Sequence, residues 1–204
     1  MQFLTLLSLL HVVSVSARGW NYSLDGCEAL SSVLPNNTFS PSASTYNASI
    51  LSYPFLQLRL HPYCIFRPSS ADDVATAVNV LKYSNHTKFA IKGGGHNANA
   101  GYNNIQDGVT IDMQSLKKVE VARGDQIIRV GAGALWQDVY DEAEKRNLTA
   151  LGGRIGVVGT AGFLTGGTSK LLTPLSYDLG ILIDASKAVY PSLVRKKDGL
   201  ATMS

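Results

Sequence analysis

The sequence predicts an α+β fold with mixed sheets flanked by helices. Strand and helix patterns alternate along the chain, but around a strand-rich middle rather than as a plain β-α repeat. Two separated stretches, Gly93-Gly94-Gly95 and Gly152 to Gly167, are dense in glycine and interrupt that pattern. The 204 residues are 45% hydrophobic and 16% charged, which suits one globular domain with a proper core.

In chain order, residues 1–17 read MQFLTLLSLLHVVSVSA, an apolar core from Phe3 to Leu10 followed by the small-residue pattern Val15-Ser16-Ala17. This is the pattern of a signal peptide cleaved near Ala17, and it is too short to span a bilayer. No later segment has the length of a membrane helix. Five N-x-[ST] sequons, at Asn21, Asn36, Asn47, Asn85 and Asn147, agree with a secreted glycoprotein. The mature chain holds two cysteines, Cys27 and Cys64, which in an oxidising compartment are expected to pair.

Residues 18–60 are rich in Ser, Asn and Pro with weak periodicity, and read as a lead-in containing a short helix at Cys27–Leu30. Tyr63–Phe66 reads as a strand stopped by Pro68. Ser70 and Asp73 form a capping-box pattern. The helix that follows carries Val74, Ala77, Val78 and Leu81 on one face and ends near Ser84-Asn85. Lys88–Lys92 is the next strand and runs straight into the three glycines. Val109–Met113 and Ile127–Val130 alternate like strands. Leu135–Arg146 reads as a helix with Trp136, Val139, Tyr140 and Ala143 on one face, acidic early and basic late as the helix dipole favours.

The stretch Phe89-Ala-Ile-Lys-Gly-Gly-Gly-His-Asn97 carries the chemistry. Glycines remove every Cβ, so the backbone can approach a ligand closely, and successive N–H groups can form an anion nest. His96 adds an imidazole at the rim. Taken alone, the motif leaves two readings open: a cradle for a diphosphate cofactor, or a glycine turn that ends in histidine. Lys92 is counted with the loop as its anchoring cation, and Asp112 reads as a strand-end acid; an ion pair between them is the alternative. Tyr102, Asn103 and Asn104 shape the return of the loop; a direct ribose or phosphate contact from Asn103 is the alternative, which the spacing alone does not support.

Other classes fit poorly. Val130-Gly-Ala-Gly-Ala-Leu-Trp136 has Trp136 where a dinucleotide fingerprint needs its third glycine. In Gly162-Phe-Leu-Thr-Gly-Gly-Thr-Ser-Lys170 the lysine comes too late for a P-loop. His61, His86 and His96 lack metal-ligand spacing, and no G-x-S-x-G elbow is present. The net charge of +3 is scattered except at Arg195-Lys196-Lys197, which excludes a nucleic-acid footprint.

The ordered motifs K-G-G-G-H-N, N-A-G-Y-N-N, G-V-T-I-D-M, V-G-A-G-A-L-W, G-G-R-x-G-x-V-G and G-x-x-x-G-G give the chain its identity. Over residues 60 to 180 it resembles the PCMH-type FAD-binding domain of the vanillyl-alcohol-oxidase/berberine-bridge-enzyme-like (VAO/BBE-like) flavoproteins. The resemblance implies FAD as cofactor. It implies that the loop matching Gly93, Gly94, Gly95, His96 and Asn97 wraps the pyrophosphate, and that His96 bonds covalently to the flavin. Many relatives add a cysteine anchor where this chain has Ile155, so a single attachment is expected. Gly101 belongs to the loop's return. Gly152, Gly153, Val158, Gly159, Gly162, Gly166 and Gly167 are expected to line the diphosphate and flavin wall, where an added Cβ would meet the cofactor.

The implied reaction is two-electron oxidation of a small organic substrate with O₂ as acceptor; the substrate domain and the catalytic base belong to segments of the family that follow this one. The expected organisation is a signal peptide over 1–17, a lead-in over 18–60, the FAD-binding domain over 61–180 and a divergent tail over 181–204, with the substrate domain missing. Three readings follow: an FAD-linked oxidoreductase in truncated form, a non-catalytic secreted flavin-binding fragment, and a cofactor-free interaction glycoprotein. Nothing in the sequence selects a substrate or an oligomeric state.

Overall fold

The computed structural model of the chain describes residues 22–84, 87–122, 127–150, 152–166, 188–190 and 194–196. Helix α1 (Tyr22–Val33) is followed by a two-residue strand β1 (Thr38–Phe39), helix α2 (Ser44–Leu51) and strand β2 (Cys64–Phe66). Helix α3 (Ala71–Tyr83) leads to β3 (Phe89–Lys92) and β4 (Val109–Asp112). These strands form one sheet in the order β1-β2-β4-β3. β1 runs antiparallel to β2, and β2, β4 and β3 are mutually parallel.

The short central strand Cys64-Ile-Phe66 is buried along its whole length because both faces of the sheet are covered. The pleat sends Cys64 and Phe66 to one face, where they pack with Leu30 of α1, Ala77 and Leu81 of α3, and Val109 and Ile111 of β4. Ile65 points the other way and packs with Tyr46 and Ile50 of α2. A Cys27–Cys64 disulfide ties α1 to β2 across 37 residues. In the chain-entropy model closure of such a loop stabilises by about 3–4 kcal/mol.

Helix α3 starts as the capping pattern predicts. The Ser70 hydroxyl accepts from the Asp73 amide at 3.1 Å, and the Asp73 carboxylate accepts from the Ser69 and Ser70 amides. The Ser69 hydroxyl, which donates to the same carboxylate at 2.6 Å, and then these bonds hold the Asp73 carboxyl below the usual carboxylate range. Its buried face differs by one position from the expected one. Val80 packs against the core beside Ala77 and Leu81, while Val78 is exposed.

The second half is antiparallel. Strands β5 (Val119–Ala122) and β6 (Ile127–Val130) pair, and β6 pairs again with β8 (Ala188–Tyr190). Helix α4 (Trp136–Glu144) packs on β5, and β7 (Leu148–Ala150) pairs with β9 (Val194–Lys196). A short helix α5 (Thr160–Thr165) follows the second glycine stretch. The core here gathers on Trp136, with Val121, Ile128, Val139, Ala143, Leu148 and Ala150 around it.

Further expectations change: the strands expected from Tyr63 and Lys88 begin at Cys64 and Phe89. The lead-in is built into the domain: it supplies α1, β1 and α2, not one short helix. The fourth strand stops at Asp112, because the Asp112 carboxylate caps a 3₁₀ turn over Met113–Ser115 by accepting from the Gln114 amide. The helix predicted over Leu135–Arg146 spans Trp136–Glu144, its start fixed by Asp138, which accepts from the Leu135 amide at 2.8 Å.

Candidate functional site

The parallel strands β2, β3 and β4 deliver their carboxyl ends to one edge of the sheet, where Arg67, Gly93 and Met113 are the residues that follow them. In open α/β sheets this edge is where ligands bind. The first glycine loop leaves it from β3.

Beneath the loop lies a charged floor. Lys92 is 1% exposed and Asp112 fully buried, with the ammonium 3.5 Å from the carboxylate. The Lys92 ammonium also donates to the Ser52 hydroxyl at 2.7 Å and the Ser49 carbonyl at 3.0 Å, and lies 4.3 Å from the centre of the Tyr53 ring. Asp112 accepts from Arg67 Nη2 at 3.1 Å and from the Ser49 hydroxyl. Burial pushes the Lys92 pKa below the ordinary lysine value, with Asp112 opposing it. Burial first, then the Asp112 charge, pushes the Tyr53 phenol up.

Gly95 sits on this floor with φ +70°. A Cβ there would press on the Tyr53 ring at 3.2 Å and on Lys92 Cε at 3.3 Å. The loop's return is pinned by side-chain amides. Tyr53 donates to the Asn103 carbonyl at 2.6 Å, and Asn103 Nδ2 donates to the Asn97 carbonyl at 3.0 Å. The buried Asn104 bridges the Leu58 and Leu60 carbonyls to the Thr110 hydroxyl.

The second glycine stretch has a different backing. Its backbone is laced to the start of α4: the Trp136 amide donates to the Val158 carbonyl at 3.0 Å and the Gln137 amide to the Gly156 carbonyl at 2.9 Å. The Thr160 amide and hydroxyl both reach the Ala134 carbonyl at 3.0 Å. The Trp136 indole stacks with Tyr140 at 5.8 Å and meets Phe163 edge-on at 5.2 Å.

The two loops meet backbone to backbone. A Cβ on Gly94 would lie 2.5 Å from the Gly159 nitrogen, and one on Gly159 would strike the Gly94 nitrogen. Two cavities open beside this contact, both bordered by Gly93 and Gly94. The larger, about 700 Å³, is walled by Arg67, Gly93, Gly94, His96, Lys117 and Val157 among others. The smaller, about 500 Å³, is walled by Gly93 to Asn97, Asn103, Val158, Gly159, Gly162 and Phe163 among others. His96 borders both; its ring lies edge-on to Phe55 at 6.3 Å, and among the described residues no side-chain hydrogen bond restrains it.

Several site residues stand elsewhere than expected. The Lys92 side chain turns down into the floor, so it supports the loop and lines neither of these two cavities. Gly152 and Gly153 serve packing: a Cβ on either would enter the Trp136 indole, at 2.6 Å in the case of Gly153. Ile155 is 55% exposed and lines neither cavity, whereas Val157 lines the larger. Gly101, at φ +85°, has open space where its Cβ would be, and so does Gly162. Gly166 ends α5, where a Cβ would meet the Gly162 carbonyl at 2.9 Å. Gly167 lies outside the described residues, as do Asn21 and Asn85 among the sequons. Asn36, Asn47 and Asn147 are exposed. Sequence reasoning missed Ser49, Tyr53 and Arg67, whose shared signal is only a hydroxyl, a phenol and a guanidinium in weakly patterned segments.

A family model described as an FAD binding domain matches residues 62–185, well over half of the chain. The chain belongs to the FAD-binding domain family. Among curated proteins this FAD-binding domain is 33% identical over 229 residues to the FAD-dependent monooxygenase tpcD of Cochliobolus heterostrophus, covering 98% of this chain and 44% of that protein. It is 38% identical over 149 residues to the FAD-dependent monooxygenase macF of Penicillium terrestre, covering 72% of this chain and 28% of the relative. The chain thus spans less than half the length of these relatives. Among solved structures, 6-hydroxy-D-nicotine oxidase from Arthrobacter nicotinovorans superposes with TM-score 0.54 at 29% identity over 61% of this chain and 27% of that one. The D396N variant of Physcomitrella patens BBE-like 1 gives TM-score 0.54 at 27% identity over 65% and 29%. The domain is therefore of the VAO/BBE-like type. Among the described residues no helix is long and apolar enough to cross a membrane, and no group of three His, Cys, Asp or Glu could hold a metal ion.

Proposed function

We propose that this domain holds FAD between its two glycine loops, tethers it covalently through His96 alone, and serves a secreted oxidoreductase acting on a small organic substrate. The observation that carries the proposal is the side-chain-free contact of Gly94 with Gly159, beside two cavities that both border Gly93, Gly94 and His96. The residues present fit such a cofactor. Backbone amides of the Gly93–Gly95 turn offer the donors a diphosphate needs. Arg67, ion-paired with Asp112, and Lys117 border the larger cavity together with Asp138. Val158 and Phe163 give the smaller cavity apolar surface suited to a ring system.

The chemistry the flavin supplies when bound is two-electron oxidation, with O₂ as the final acceptor. The protein's part is placement. The Lys92–Asp112 floor fixes the height of Gly95 and so of His96. The Trp136 packing fixes the opposite wall. His96 borders both cavities, and among the described residues its ring makes no side-chain hydrogen bond that would occupy a ring nitrogen. Ile155, exposed and without a thiol, supports a single tether. The leader over residues 1–17, the Cys27–Cys64 disulfide and the exposed sequons at Asn36, Asn47 and Asn147 support a secretory route with glycans at those positions, and at Asn21 and Asn85.

The test is flavin fluorescence that stays with the chain after acid denaturation. The expected result is a fluorescent band for the wild-type chain that His96→Ala abolishes, and substrate-dependent peroxide formation. Retained fluorescence without turnover would make the chain a flavin carrier only. A colourless, well-folded chain would overturn the proposal in favour of a cofactor-free glycoprotein.

A further inference from the structure

Ser49 serves two patterns at once. It is the third residue of the sequon Asn47-Ala48-Ser49, and it belongs to the buried floor beneath the first glycine loop. The whole sequon lies inside α2. Side chains two residues apart on a helix do not share a face. Asn47 is accordingly exposed, whereas Ser49 is 1% exposed. The Ser49 hydroxyl donates to the Asp112 carboxylate and accepts from the Lys92 ammonium at 3.1 Å. Tyr46 and Ile50 close the same face of α2 against Ile65 of β2, and the Tyr46 phenol donates to the Pro62 carbonyl at 2.9 Å. The sequon of Asn147 is built differently. It follows α4, Asn147 is exposed, and Thr149 stands half-buried between the inward-pointing Leu148 and Ala150 of β7.

Glycan transfer needs both ends of a sequon. A C–N bond forms between the asparagine Nδ2 and the anomeric carbon of a polyprenyl-diphosphate-linked sugar. The anomeric C–O bond breaks, the amide nitrogen gives up one proton, and the polyprenyl diphosphate leaves with the bonding pair. The transferase reads the hydroxyl two residues on, so the motif ends in Ser or Thr. In the folded chain the hydroxyl that belongs to Asn47 is in the core and faces away from its asparagine. We infer that Asn47 takes a glycan before α2 docks on β2, and that folding then closes this site far more tightly than Asn147. This rests on the reading that the chain follows a secretory route. A glycan already added does not oppose docking, because Asn47 faces solvent. Chain order leaves room for it. Asp112 lies 63 residues after Ser49, so at about 5–20 residues per second the nascent chain has about 3–13 seconds before the floor can close.

The experiment offers the full chain to a purified oligosaccharyltransferase and its polyprenyl-linked sugar donor. The chain is made without glycans in bacteria and used in two forms, folded with its disulfide closed, and unfolded by reduction and alkylation. Glycopeptide mass spectrometry reads the initial transfer rate at each sequon. Unfolding is expected to raise the rate at Asn47 by about tenfold more than the rate at Asn147. Ile65→Val trims the buried residue of β2 on which α2 docks and leaves the sequon untouched. It is expected to speed transfer at Asn47 of the folded chain about three- to tenfold, with Asn147 within about twofold. A thermal melt shows that this variant is folded at the assay temperature. Equal gains at the two sites on unfolding would overturn the inference, as would a rate at Asn47 that Ile65→Val leaves unchanged. Glycans on the chain exported from a eukaryotic host are mapped alongside. A chain bare at every sequon would remove the secretory reading, whereas transfer rates that fail the comparison would remove this inference alone.

Discussion

The two glycine loops use the same residue for the same purpose, close backbone approach, yet they stand on opposite kinds of support. The first rests on buried charge: Lys92, Asp112, Arg67 and the hydroxyls of Ser49 and Ser52. The second rests on an aromatic stack, with Gly152 and Gly153 pressed on the Trp136 indole and Tyr140 donating to the Gly153 carbonyl at 2.6 Å. Buried charge fixes geometry sharply, because each partner left alone is costly. An aromatic stack tolerates small shifts. The loop that carries His96 has the strict support, and the facing wall has the tolerant one.

The comparison is broken most strongly at Asp112. Asp112→Ala strands the Lys92 ammonium in a buried site and is expected to cost about 3–5 kcal/mol in chemical denaturation. Next comes the contact between the loops. Gly94→Ala forces a Cβ into the Gly159 backbone, which no side-chain rotation relieves. It is expected to cost about 1–3 kcal/mol and to lower the flavin content of purified protein sharply.

Gly162→Ala sharpens the contrast, because its Cβ meets nothing in the protein and the position is an exposed helix interior. The expected outcome is a gain of about 0.5–1 kcal/mol in stability together with weaker flavin binding, since the new methyl occupies the smaller cavity. The smallest effect is a pH dependence. The Lys92 pKa is lower in the folded chain than in the unfolded one, so the unfolded state binds more protons between those two values. Stability from this group rises with pH as the ordinary lysine value is approached. A stability profile of Lys92→Met is expected to lack that rise.

How much of this was legible in the sequence divides along the same line. The capped helix after Ser70, the strand into the glycines and the strand ending at Asp112 announce themselves through local pattern: a side-chain cap, a 3.6-residue period, an apolar run. The Cys27–Cys64 pairing follows from arithmetic. The floor under His96 does not announce itself. Ser49 and Tyr53 lie in a segment without periodicity, and they matter only because β2 is flanked by α2 on one face, a tertiary fact. Lys92 is conspicuous beside the glycines, yet the strand pleat that turns it away from the loop and toward Asp112 is set by register with β4. Likewise Gly152 and Gly153 read as cofactor glycines until Trp136 is placed against them. β5 and β7 are three or four residues long, too short for their alternation to stand out from neighbouring turns.

The central claim, that two side-chain-free loops present one imidazole to a bound flavin, is tested most directly by mass spectrometry of the denatured full chain and of its Gly93–Asn97 peptide. The expected result is one FAD per chain, carried on His96 and lost in His96→Ala. A soluble, folded chain grown with ample riboflavin whose mass is that of the polypeptide and its glycans alone, and which takes up no FAD on titration, would contradict it.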